Sequence, residues 1–174
     1  IIAKPLIDDF MDKMLKRVAA FKLGDPLDPE TTIGSMITPE HKAQVMSYIN
    51  KGTVEGARLI VGGDVEGPGQ FISPAVFDGV TNDMTIARDE IFGPVLGVMS
   101  VASPEEALAI AIDTDYGLHA TVFTRDIDRA ISMARRLPRG TVSVNGFSEG
   151  VIKTPFGGLT PSGSLARRYG SAVS

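Results

Sequence analysis

Residues 95–144 carry the clearest evidence of the fold class and read VLGVMSVASPEEALAIAIDTDYGLHATVFTRDIDRAISMARRLPRGTVSV. Its apolar residues change repeatedly between strand-like and helix-like spacing. They predict, in order, a strand at Val95–Val101, a helix from Pro104 to about Asp113, a strand at Leu118–Phe123, a helix at Ile127–Leu137 and a strand at Thr141–Val144. Because strands that alternate with helices pair in parallel, we predict an α/β fold with a mostly parallel sheet flanked by helices.

The residues before this stretch predict helices first and strands later. A helix is expected at Pro5–Phe21, where apolar residues recur three or four positions apart. Thr38 and Pro39 are typical of a helix start, and this second helix should run to about Gly56. A short strand is expected at Arg58–Val61, and Pro74 should interrupt the strand character of the run from 71 to 80.

The two ends of the chain differ from its middle. The chain begins at Ile1 without a methionine, and its first residues are typical of a strand that starts earlier, so we expect a fragment. After Asn145 the periodicity gives way to Gly, Ser, Pro and Thr. We therefore predict an α/β core over residues 1–145, incomplete at its N-terminus, and a loop-rich C-terminal arm over residues 146–174.

Composition excludes several classes of function. The chain has 174 residues, a net charge of −4 and no apolar run near the roughly 20 residues that a membrane-spanning helix needs. Nucleic acid and membranes are therefore not expected partners, and without a signal peptide we expect a cytoplasmic location. With no Cys and only two His, we expect no metal site and no thiol nucleophile within the chain.

One short segment combines groups that suit a cofactor. Asp89-Glu90-Ile91-Phe92-Gly93-Pro94 places carboxylates, an aromatic ring and a Gly-Pro break just before a strand. Glu90 has the acceptors that sugar hydroxyls need, and Phe92 has a flat apolar face for a ring. Periodicity alone favours the alternative, in which Glu90 is a solvated turn residue and Phe92 is part of the core.

Several segments together resemble one known family. The segment from Arg88 to Val95 resembles the signature with which NAD(P)-dependent aldehyde dehydrogenases hold their nicotinamide ribose. In the same order as in that family, similar blocks occur at 24–31, 115–118, 122–126, 140–145, 155–158 and 162–163. The chain thus resembles the C-terminal part of the family's catalytic domain over nearly its whole length.

The resemblance implies roles for matching positions. Glu90 would bind the ribose hydroxyls of NAD or NADP, Phe92 would pack near the nicotinamide, and His41 would point toward the same cofactor. The aldehyde tunnel would be lined by Phe156, Ser148 and Gly150. Asn145, in contrast, is expected to tie the end of its strand to neighbouring loops.

The resemblance also implies an activity for the intact protein. Such enzymes oxidise an aldehyde to a carboxylic acid through a thioester on a Cys, which we expect upstream of this chain. We expect the chain alone to be inactive and the intact protein to be a homo-oligomer, either a dimer or a tetramer. Two alternatives are a non-catalytic binding module, favoured by the absence of Cys, and an assembly module that docks on a full-length relative.

Overall fold

The computed structural model describes residues 1–64, 69–147 and 157–159, in two compact units, 1–103 and 104–174. Unit 1 contains α1 (Ile7–Val18), α2 (Pro39–Val54) and α3 (Thr85–Arg88) with the strands β1 (Ile2–Ala3), β2 (Arg58–Val61), β3 (Ala75–Asp78), β4 (Val95–Gly97) and β5 (Ser100–Val101). Unit 2 contains α4 (Pro104–Ile112), β6 (His119–Val122), α5 (Ile127–Arg136) and β7 (Thr141–Val144). The predicted boundary near residue 145 stays a prediction, because most residues beyond it lie outside the described ranges.

Within the described ranges, three of the four strand pairings are parallel. These are β1 with β5, β3 with β4, and β6 with β7, whereas β2 pairs antiparallel with β3. The β6–β7 register runs from His119 opposite Thr141 to Val122 opposite Val144, with α5 between the two strands in the chain. The structure therefore confirms the predicted α/β class and its bias toward parallel pairing.

The predicted strand Val95–Val101 is wrong as a single element. β4 pairs with β3, whereas β5 pairs with β1 in another sheet. The change of partner occurs at Val98 and Met99: the N–H of Val98 donates to Phe77 of β3, and the carbonyl of Met99 accepts from Ile2 of β1. One apolar run thus serves two sheets, which its periodicity does not reveal.

The second predicted helix forms close to where its sequence signals place it. Thr38 caps α2 by accepting a hydrogen bond from the backbone N–H of His41 at 3.1 Å, and Pro39 occupies the first turn. The helix ends before Gly56, which has a φ of +102° and so suits the left-handed position that commonly follows a helix. Both ends of α2 are therefore set by local sequence.

The core of unit 1 lies between α2 and β3, and Val95 of β4 packs against it. Val45 and Ile49 of α2 are buried with Phe77 of β3, Ile72 and Ile86. In unit 2 the smaller core consists of Leu108, Val122 and Leu137, one from each of α4, β6 and the end of α5. No α1 residue is buried, although its apolar residues have the predicted helical spacing.

No helix within the described ranges is long and apolar enough to cross a membrane. The same ranges contain no cluster of three or more residues that could hold a metal ion.

Candidate cofactor site

The loop between α3 and β4, residues 89–94, carries the two side chains that the sequence singles out. Glu90 is exposed, and Phe92 is also exposed, with 69% of its surface accessible. The alternative in which Phe92 belongs to the core is therefore wrong. An exposed carboxylate and an exposed aromatic ring lie two residues apart on this loop.

Phe92 adopts a backbone conformation that needs support. Its φ is +53°, in the left-handed region that residues with a side chain rarely occupy. Such a conformation costs on the order of 1 kcal/mol and persists where surrounding contacts determine it. The contacts of this loop with α2 are thus part of the site.

His41 is one of those contacts, and it is half-buried in the first turns of α2. Its Nε2 atom lies 2.8 Å from the carbonyl oxygen of Phe92. Because a carbonyl oxygen can only accept, the Nε2 atom carries the proton and donates. The structure thus brings together two of the three predicted cofactor residues, and the third, Glu90, lies on the same loop.

A charged group precedes His41 in the same turn. The pKa of the Glu40 carboxyl is lowered, because its own backbone N–H and then the Thr38 hydroxyl hydrogen-bond to it. The side chain is fully exposed, so this effect stabilises the ionised form locally and reports on the helix cap more than on the loop.

Two further contacts between α2 and the loop were not predicted. The hydroxyl of Tyr48 donates to Asp89 at 3.1 Å. A Cβ atom added at Gly93 would lie only 2.6 and 2.7 Å from the two methyl carbons of Val45, so this position has room only for glycine. The spacing of residues 41, 45 and 48 places them on one face of α2, but the sequence does not show that this face contacts the loop 89–94.

The predicted tunnel residues cannot be placed. Ser148, Gly150 and Phe156 all lie outside the described ranges. The described residue directly before Ser148 in the sequence is Phe147, whose ring packs edge-to-face against that of Phe123 with centroids 5.6 Å apart. Their assignment to an aldehyde tunnel stays a prediction.

Asn145 has the structural role that was expected of it. Its side chain accepts from the N–H of Thr124 at 2.9 Å and donates to the carbonyl of Thr124 at 2.8 Å. The residue has a φ of +53°, so it turns the chain sharply after β7 while fixing the segment after β6. This prediction is confirmed.

Comparison with known proteins shows similarity to one family over nearly the whole chain. Residues 1–173 match the model of the aldehyde dehydrogenase family. A betaine aldehyde dehydrogenase of Cereibacter sphaeroides is 40% identical over 173 residues, which cover 99% of this chain and 36% of that relative.

Solved structures agree with the sequence comparison. The HpcC protein of Thermus thermophilus is 44% identical with a TM-score of 0.89, over 92% of this chain and 33% of that one. The AldA indole-3-acetaldehyde dehydrogenase of P. syringae, solved as a C302A mutant with NAD+ and IAA, is 41% identical with a TM-score of 0.89, over 92% of this chain and 33% of that one. The chain thus spans about a third of the length of these relatives. The family match over nearly every residue, together with this agreement in fold, shows that the chain belongs to the aldehyde dehydrogenase family.

Proposed function

We propose that this chain is part of an enzyme that oxidises an aldehyde to a carboxylic acid with NAD or NADP. The observation that carries the proposal is the loop 89–94, which presents Glu90 and Phe92 to solvent while His41 bonds to its backbone. The chain has no Cys, so the thiolate that attacks the aldehyde must come from a part of the protein outside these 174 residues.

The residues of the loop fit the nicotinamide ribose half of a dinucleotide. The carboxylate of Glu90 would accept hydrogen bonds from the ribose hydroxyls and so orient the sugar through charge-assisted bonds. The Phe92 ring provides an apolar surface of the size of a nicotinamide ring. When bound, NAD or NADP would supply the acceptor for the hydride that leaves the aldehyde carbon, and hydrolysis of the cysteine thioester would release the acid.

The substrate is proposed only as an aldehyde. The two relatives named by their substrates are about equally similar to this chain, yet one acts on betaine aldehyde and the other on indole-3-acetaldehyde. We propose that Ser148, Gly150 and Phe156 line one wall of the aldehyde tunnel and that the rest of the protein supplies the other walls. The intact protein is proposed to be a cytoplasmic homo-oligomer.

The alternative is a non-catalytic binding or assembly module that retains this fold. The absence of Cys from the chain is what favours it. The two proposals differ in whether a thiol-dependent reaction accompanies cofactor binding.

The test compares the complete gene product with two variants. Wild type is expected to form NADH from NAD+ and an aldehyde and to lose this activity on treatment with iodoacetamide. Glu90→Gln should lower kcat/KM, whereas Glu105→Gln, a change at an exposed carboxylate of α4 in unit 2, should not. If the complete protein binds NAD+ but oxidises no member of a broad aldehyde panel, the module is the better account.

A further inference from the structure

The contacts between α2 and the loop 89–94 occur on one face of the helix. His41, Val45 and Tyr48 are spaced by four and three residues, so their side chains project from the same side. Each meets a different residue of the loop: Phe92, Gly93 and Asp89, respectively. One helix face thus contacts the loop on both sides of Glu90.

We propose that His41 is a positioning residue, which holds Phe92 in its left-handed conformation and thereby fixes Glu90 and Phe92 for the cofactor. This inference deepens the proposed function and rests on it for its functional part. That His41 holds the conformation of Phe92 in the protein without cofactor is inferred from their hydrogen bond and does not depend on the proposed function.

The three contacts differ in what they contribute. Val45 is completely buried, so it forms a fixed surface against which Gly93 packs. Tyr48 holds the first residue of the loop through a bond to the Asp89 side chain. Only His41 bonds to the backbone of the residue with the unfavourable φ, so it should act most strongly on the conformation of Phe92.

The rate at which chymotrypsin cleaves after Phe92 measures how firmly the loop is held. The enzyme cleaves after exposed aromatic residues, and cleavage of a folded loop follows the population of its open form. The bond between Phe92 and Gly93 reports on the loop, and the bond after Phe21, an exposed residue of the same unit, serves as an internal reference. Both rates are measured by mass spectrometry on the complete protein without cofactor.

Three variants separate the hydrogen bond from general effects. His41→Ala removes the donor, and we expect cleavage after Phe92 to rise about threefold to tenfold, as the loss of one hydrogen bond implies. His41→Gln retains an amide donor and should stay within about twofold of wild type. Gln44→Ala changes an exposed residue of the same helix and should leave the rate unchanged.

The same variants in the complete protein test the functional consequence. His41→Ala should raise the Kd for NAD+ by a similar factor, and His41→Gln should restore it. A weaker NAD+ affinity without a change in unliganded cleavage would show that His41 contacts the cofactor only, and would overturn the positioning role.

Two other results would also overturn the proposal. One is an equal acceleration after Phe21 and Phe92, which would indicate general destabilisation. The other is a failure of His41→Gln to restore slow cleavage, which would show that a donor at this position does not hold the loop. Because the cleavage experiment contains no cofactor, its outcome is independent of whether the protein oxidises aldehydes.

Discussion

The close packing of Gly93 against Val45 makes Gly93→Ala the most informative single substitution in the loop. The added Cβ atom would lie 2.6 and 2.7 Å from the Val45 methyl carbons, far inside an ordinary contact. Val45 is completely buried and cannot turn away, so either the loop or α2 must shift. Overpacking of this kind costs about 1 to 3 kcal/mol of unfolding free energy.

Thermal unfolding of the 174-residue chain, followed by circular dichroism, measures this cost. For a chain of this size each kcal/mol corresponds to a Tm change of about 2 to 4 °C. Gly34→Ala is the matched control, because a Cβ atom at Gly34 would meet no atom within 4 Å. We expect a lower Tm for Gly93→Ala and a Tm close to wild type for Gly34→Ala.

A double-mutant cycle tests the stated cause. Val45→Ala alone should lower the free energy of unfolding by about 2 kcal/mol, because it removes two buried methyl groups. In the Gly93→Ala background it should cost at least about 1 kcal/mol less, because it also removes the clash. Strictly additive losses would contradict the proposed clash, since they would show that the side chains at positions 45 and 93 do not interact.

Three further predictions concern the isolated chain. The purified 174 residues should form no NADH from any aldehyde, because the chain contains no thiol nucleophile; measurable NAD+-dependent turnover would contradict this. The chain should self-associate as its concentration rises, because α1 has no buried residue and Leu6 and Phe10 are exposed; sedimentation of a strict monomer at all concentrations would speak against it. Asn145→Ala should lower the free energy of unfolding by about 1 to 3 kcal/mol, because it removes both hydrogen bonds to Thr124 and places alanine at a positive φ. Asn145→Gly removes the same bonds but tolerates this φ, so it should lower the free energy of unfolding by less. Urea denaturation measures both losses, and equal losses would exclude a role for backbone conformation.

Local sequence predicted the elements whose ends are set by local chemistry. Thr38, Pro39 and Gly56 delimit α2 through capping and backbone conformation, and Asp126 caps α5 by accepting from the N–H of Arg129 at 3.0 Å. Pro74 ends the run before β3 because it has no N–H for a ladder. Such signals lie within a few residues of their effect.

Features that depend on distant partners were not predictable in the same way. The division of the run from 95 to 101 into β4 and β5 depends on β3 and β1, and the sequence does not show which strands will be neighbours. The exposure of Phe92 depends on α2, which lies about fifty residues earlier and holds the loop through His41. Periodicity therefore favoured a core position for Phe92, which is wrong, and the resemblance to a family is what pointed to a role at the cofactor.

In the proposed function, Glu90 binds the ribose on the nicotinamide side of the cofactor. Isothermal titration of the complete protein with NAD+ and with ADP, which lacks the nicotinamide riboside, tests it directly. Glu90→Gln should weaken NAD+ binding by roughly 1.5 to 3 kcal/mol, about tenfold or more in Kd, and should leave the Kd for ADP unchanged. An unchanged Kd for NAD+, or an equal loss for NAD+ and ADP, would contradict the claim.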